Sequence, residues 1–202
     1  MKTMNIQDET IAFTAKTERT YDPDPAHSEH VTVLALALFD GLSVLHRYGP
    51  DERRLLAVAG RLHDIGWSQV QARSGKHHKL SGKIIQKLSI PGFKKRDIIS
   101  CALVARYHTK ALPNASRHKL FASLTAERRE LIEWLAGILR IADALDRGHA
   151  KSINDLVCTV SRRAVKIHLM AAGDDCRAEV ERAVQKQKLL IKKMAREIEY
   201  LC

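Results

Sequence analysis

Apolar residues along this chain recur mostly at helical spacing. From Ala26 to His46, the side chains of Val31, Leu34, Leu36, Leu38, Phe39, Leu42 and Leu45 cover nearly every side of one helix. A helix of that kind belongs in the centre of a bundle. A shorter amphipathic helix is predicted up to about Arg19, and Tyr21-Asp22-Pro23-Asp24-Pro25 separates the two, because prolines and aspartates interrupt helical hydrogen bonding. Gly49-Pro50 closes the central helix, and Asp51 is the expected N-cap of the next. That helix runs through Leu55, Leu56, Val58, Ala59 and Leu62 to Ile65-Gly66, which places His63 and Asp64 in its last turn. Further helices are predicted over His77–Leu88, Phe93–His108 and Thr125–Arg147, with a turn at Ile90-Pro91-Gly92 and a polar loop over 109–124.

Beyond Gly148 the period changes. Leu156–Val160 and Ala164–Met170 are short β-prone runs joined by Ser161-Arg162-Arg163, which predicts a hairpin. Asp174 to Glu199 then reads as an amphipathic helix. The expected fold is mainly α: a helical bundle with a five-helix core over residues 1–150, and a β-hairpin plus helix over 151–202 appended to the same core. That appendage offers an exposed β edge and an apolar helical stripe, which would serve equally for packing on the core or for a homodimer.

Composition narrows the class. At 202 residues the chain makes one domain with a small appendage, large enough to bury a core without staples. The four cysteines, Cys101, Cys158, Cys176 and Cys202, form no CxxC pair and no recognisable disulfide framework, so a reducing cytoplasm is expected. No export signal is evident, and the longest apolar stretch, Val31–Phe39, is too short to span a bilayer, so no membrane partner is expected. The net charge of +11 favours anionic partners such as phosphates, nucleotides or polyphosphate. Nucleic acid is disfavoured. Aromatic residues make up only 5% of the chain, so stacking platforms are scarce, and no nucleic-acid-reading motif is present.

The candidate chemistry centres on His63-Asp64, a nitrogen and a carboxylate oxygen offered side by side. Such a pair suits Mn, Fe, Co, Ni, Zn or Mg. Asp64 at a helix C-terminus opposes the helix dipole and needs a compensating cation. His27, His78, His108 and Asp143 join it as candidate ligands. Taken singly each has an ordinary reading: a helix-start histidine for His27, a surface residue for His78, a backbone-bonded histidine for His108, and a helical salt bridge to Arg140 or Arg147 for Asp143. Together they fall at helix ends or on apolar helices that must pack in one bundle.

The order His27, His63-Asp64, Asp143 resembles the HD-domain metal-dependent phosphohydrolases. The segment His27-Ser28-Glu29-His30-Val31 is similar to that family's first motif, and its register selects His27 rather than His30. His78 with Gly82, and His108, resemble the extra histidine motifs of dinuclear members, which implies a second metal on His78, His108 and a bridging Asp64. A narrower resemblance covers residues 18 to 200. Tyr21-Asp22-Pro23, the Leu-Ala-Leu-Phe-Asp run of residues 36 to 40, His77-His78-Lys79-Leu80-Ser81, Pro91-Gly92-Phe93, Arg106-Tyr107-His108 and Arg140–Arg147 resemble the C-terminal HD-type domain of the exopolyphosphatase/guanosine pentaphosphatase (Ppx/GppA) family. That family's own phosphatase chemistry belongs to an actin-like part, and this sequence has no Gly-rich phosphate loop. Exopolyphosphatase activity by the family's mechanism is therefore not expected of this chain alone, and a separate actin-like partner would complete it. Trp67 stands where many HD-type hydrolases carry a lysine.

The resemblance implies hydrolysis of a phosphomonoester, nucleotide or polyphosphate-type substrate with one or two divalent ions as cofactor. Asp64, Lys79 and His108 are the expected catalytic residues. Lys76, Lys79, Arg106 and Arg147 are the expected phosphate-binding residues, Arg147 also as a partner orienting Asp143 or Asp146, and His78 or His108 the proton donors if free of metal. The rival reading is a catalytically silent module that binds polyphosphate or a nucleotide.

Overall fold

The computed structural model describes residues 5–70, 76–173 and 175–202. Helix α1 (Ile6–Tyr21) starts on Asn5, whose side chain accepts from the Gln7 and Asp8 N–H groups. Its inner face is polar: Thr10, Thr14, Thr17 and Glu18 are buried. Helix α2 (Pro25–Gly41) begins with proline in its first turn, and the Asp24 carboxylate accepts from the His27 N–H. The expected single helix to His46 is broken at Leu42, and a short α3 (Ser43–His46) follows.

Helix α4 (Pro50–Arg61) has Gly49, not Asp51, as its N-cap, and Glu52 reaches back to the Gly49 N–H. It stops earlier than the sequence predicts. His63 and Asp64 lie outside it, in the turn that leads into a 3-10 segment, Ile65–Gln69. Gly66 is therefore not a helix cap. A Cβ at Gly66 would collide with the His77 carbonyl oxygen and with Ser81, and its N–H donates to Ser81 Oγ at 2.9 Å. This close approach seats the 3-10 segment on α5 (His77–Ile85).

Helix α6 (Lys95–Tyr107) pairs with α5, a short α7 (Lys119–Ala122) follows, and α8 (Ala126–Leu145) runs through the centre. Thr125 caps α8, and every residue of α8 from Trp134 to Leu145 is buried. Helix α8 packs against α2, α4 and α6, so the four form the core.

The C-terminal part contains the expected hairpin. Strands β1 (Ile153–Val160) and β2 (Ala164–Ala171) are antiparallel. The expected single helix after it is replaced by α9 (Arg177–Lys186) and α10 (Lys188–Met194), and Asp174, its expected start, lies outside the described residues. Ala195, in the left-handed region at φ 50°, ends α10. Glu197–Leu201 then forms β3, parallel to β2, giving the order β1-β2-β3. Its alternating exposed and half-buried positions carry a period of two, which a helical reading of this stretch overlooks. Strand β1 packs on α2, and α9 and α10 pack on α8.

Cys176 and Cys202 are joined in a disulfide, with Cα atoms 6.2 Å apart. The sequence reading, which found no framework, is corrected here: their 26-residue separation gives no signal, and only the fold of β3 against the start of α9 brings them together. The argument from unpaired cysteines to a reducing compartment thereby loses its premise. No helix among the described residues is long and apolar enough to cross a membrane.

The Gly66 approach makes a testable demand. Gly66→Ala should destabilise the protein by about 1–3 kcal/mol in urea unfolding, the usual cost of overpacking. Gly173→Ala, where an added Cβ meets nothing within 4 Å, should not destabilise it. Equal losses in the two variants would refute the steric account.

Candidate metal centre

Five elements deliver the candidate residues to one point. His27 comes from the first turn of α2, His63 and Asp64 from the turn after α4, His77 from the start of α5, His108 from the end of α6, and Asp143 from the last turn of α8. All are between 0% and 6% exposed.

Two overlapping sets emerge. His27, His63 and Asp143 form one, and His63, Asp64 and His108 the other. Asp143 Oδ1 lies 3.6 Å from His27 Nε2 and 3.8 Å from His63 Nε2. The Asp64 carboxylate faces both sides: Oδ2 is 3.7 Å from His63 Nε2, while Oδ1 is 3.3 Å from His77 Nε2 and 3.6 Å from His108 Nε2. The Nε2 atoms of His77 and His108 are 3.2 Å apart. His27 Nε2, His63 Nε2, Asp64 Oδ1 and Asp143 Oδ1 are all buried without a hydrogen-bond partner among the described residues. Buried polar atoms are normally satisfied, so four orphans converging on one point mark a place built for something else.

The other edge of each ring is anchored. His63 Nδ1 donates to the Gly60 carbonyl at 2.7 Å and His108 Nδ1 to the Ala105 carbonyl at 2.6 Å, which turns Nε2 of each inward. His27 Nδ1 is held by Asp146 Oδ2 at 2.8 Å, and Asp146 also accepts the Lys151 N–H at 2.8 Å. The His149 ring stacks on His27 at 3.9 Å and is itself held by Asp24 at 2.7 Å. Trp67 stacks on His77 at 4.2 Å and fixes its ring plane. Carboxylates and carbonyls on the far nitrogen are the usual support of metal-binding histidines.

The electrostatics are those of a charge-dense, dry cluster. Burial alone would lower the His27 pKa, but the neighbouring carboxylates of Asp143 and Asp146 outweigh it and raise it to about 10. Burial likewise opposes a charged His63, yet Asp64 and Asp143 raise it to about 9. Asp143 is held well below the usual carboxylate range against burial by His27 and His63. Burial, aided by the charge of His63, pushes His108 down to about 3.

The sequence candidates divide. His27, His63, Asp64, His108 and Asp143 come together. His78 does not join them: among the described residues no ion pair links it to Asp64, and its ring centroid is 6.4 Å from that of His108 in an edge arrangement. Its neighbour His77 occupies that place. Adjacent helical residues point about a quarter-turn apart, so one residue of the His77-His78 pair had to face away. Lys76 and Lys79 are exposed. Burial, then His77, then Lys110, Lys79 and Arg106, lower the His78 pKa to about 4, which places those cations around His78. At neutral pH both rings are therefore neutral, and the single ring proton of His108 is already engaged with the Ala105 carbonyl. Arg147 is exposed and, among the described residues, pairs with neither Asp143 nor Asp146. Buried Arg140 donates to the Tyr107 carbonyl at 2.9 Å and the Lys110 carbonyl at 3.4 Å, pinning the end of α6 to α8.

His77, Trp67, His149 and Lys186 had no place in the sequence-based site. Lys186, at the end of α9, donates to Thr109 Oγ1 at 3.4 Å beside His108. Burial lowers its pKa, and the charges of Arg140, Asp143, Arg147 and Lys110 also act on it.

The raised histidines fix a pH dependence for chelator-treated protein. Their protonated, carboxylate-paired form adds stability that is fully present below the ordinary 6.5 and is lost as pH rises towards about 10. The wild-type advantage over His27→Ala in urea unfolding should therefore shrink between pH 6.5 and 10. An advantage constant over that range would contradict the ion pairing.

A family model described as Ppx/GppA phosphatase, domain III, matches residues 6–194. No curated protein matches the sequence.

Proposed function

Since the chain belongs to the Ppx/GppA phosphatase domain III family, we propose that it is an HD-type phosphohydrolase that cleaves phosphate esters or anhydrides at a divalent-metal centre. One observation carries this reading: the unpartnered, buried His27 Nε2, His63 Nε2, Asp64 Oδ1 and Asp143 Oδ1. Nitrogen and carboxylate donors of this kind suit Mn, Fe, Co, Ni or Zn, and Mg less well. His27, His63, Asp64 and Asp143 would hold one ion. Asp64, His77 and His108 would hold a second, with Asp64 shared.

A bound divalent ion supplies Lewis-acid activation of water for attack at phosphorus. The rest falls to the chain. Asp146, Gly60 and Ala105 aim the rings of His27, His63 and His108, and Trp67 sets that of His77. A divalent ion held there would take the place of the protons on the raised His27 and His63, so its binding would strengthen as pH rises. Lys186, beside Thr109, would hold phosphoryl oxygens, and the nearby charge of Arg147 would help neutralise charge that develops on them. Lys79 and Arg106 lie about His78 instead and suit a more distant part of an anionic substrate, a nucleotide or a phosphate chain.

That displaced cation group is also the observation behind a second reading, a catalytically silent module for polyphosphate or nucleotide. Under it the cations around His78 would do the binding and a separate actin-like protein the hydrolysis.

Elemental analysis separates the two. Protein purified without chelators should carry one or two transition-metal equivalents, and His63→Ala/Asp64→Ala should carry none and hydrolyse no phosphoester. No metal in the wild type after incubation with Mn, Fe, Co or Ni would favour the silent module. His77→Ala should lose one equivalent while His78→Ala keeps both; the reverse result would reject the second site as drawn. Asp146→Asn should weaken metal binding about 10–100-fold, as removal of such supports does.

A further inference from the structure

The two cysteines of the Cys176–Cys202 bond sit in unlike surroundings. Cys176, at the start of α9, is 1% exposed, whereas Cys202, following β3, is exposed. The other two are poor reactants. Cys101 is fully buried, which pushes its thiol up, and burial takes Cys158 up to about 11. Both are free cysteines outside the bond, and they account for the two thiols that the oxidised protein keeps. The bond therefore joins one exposed residue, Cys202, to one sheltered partner, Cys176.

We propose that Cys202 and Cys176 form a reversible thiol–disulfide exchange site, which takes a small disulfide of the glutathione class as oxidant and clasps β3 to the start of α9. In the forward direction the Cys202 thiolate attacks one sulfur of the small disulfide. That S–S bond breaks, one small thiol leaves, and a mixed disulfide remains on Cys202. The Cys176 thiolate then attacks the Cys202 sulfur and expels the second small thiol. Two protein thiols are oxidised, one small disulfide is reduced to two thiols, and the two protons pass through solvent from protein to leaving thiols. In reverse, a small thiolate attacks Cys202, the exposed residue of the pair.

The consequence reaches the edge of the candidate metal centre through α9. This helix packs on α8, which carries Asp143, and ends at Lys186, which touches Thr109 beside His108. Closing the bond restrains α9 at one end while its other end carries Lys186. The inference does not depend on the hydrolase reading, because its readouts are thiols and stability.

The test is native incubation of the full chain with glutathione disulfide, then with a thiol reductant. Intact mass and thiol labelling in denaturant follow each step. Two free thiols should be found after oxidation and four after native reduction. Cys176→Ala should retain glutathione on Cys202, and Cys202→Ser should take up none. Reduction should lower the thermal midpoint of the wild type by about 5–10 °C and leave both variants unmoved. Four thiols after oxidation, a bond that resists native reductant, a lasting glutathione adduct on the wild type, or an unchanged midpoint would each overturn the proposal.

Discussion

Two carboxylates, Asp64 and Asp143, are carried almost wholly out of water at the meeting point of the helices. A buried carboxylate without compensation is too costly for a fold of ordinary stability. The surrounding architecture supplies positive charge in response: His27 and His63 take up protons they would not hold in solution, and each aims a ring nitrogen at the acids. The same inward-facing donors make up the two groups of residues that could hold a metal ion.

Around that constraint lies a second layer of bonds whose only apparent work is aiming. Asp146 and His149 fix His27 between a hydrogen bond and a stacked ring. The carbonyls of Gly60 and Ala105 fix the tautomers of His63 and His108. Arg140, buried in α8, spends its guanidinium on the carbonyls at the end of α6 rather than on Asp143, and so holds His108 in range. Gly66 lets the segment after Asp64 lie against α5, which is what brings His77 to the cluster. Lys186, from α9, lies beside Thr109 at the edge of this buried interior.

Much of this was legible in the linear pattern. The apolar period located the core helices α2, α4, α6 and α8, and the alternation after Gly148 located the hairpin. His27, His63, Asp64, His108 and Asp143 stood out because each interrupts or ends an apolar helix, where polar groups need a reason. The errors have local causes. Leu42 breaks a run that looks uniformly apolar. Glu197–Leu201 follows a helical stretch closely enough to be read as its continuation. Lys79 adjoins His78 in the chain while Arg106 meets it only through the fold, and both cations act on its charge.

The sequence by itself determined the mainly helical bundle, the hairpin and most of the buried polar residues that meet at its centre, because periodicity and helix-end chemistry are local properties. Only the tertiary structure decided which of two adjacent histidines faces Asp64, that Lys186 lies beside Thr109, and that Cys176 meets Cys202. Each of those depends on the rotation of one helix about its axis, or on contacts between segments far apart in the chain, and neither leaves a trace in local spacing.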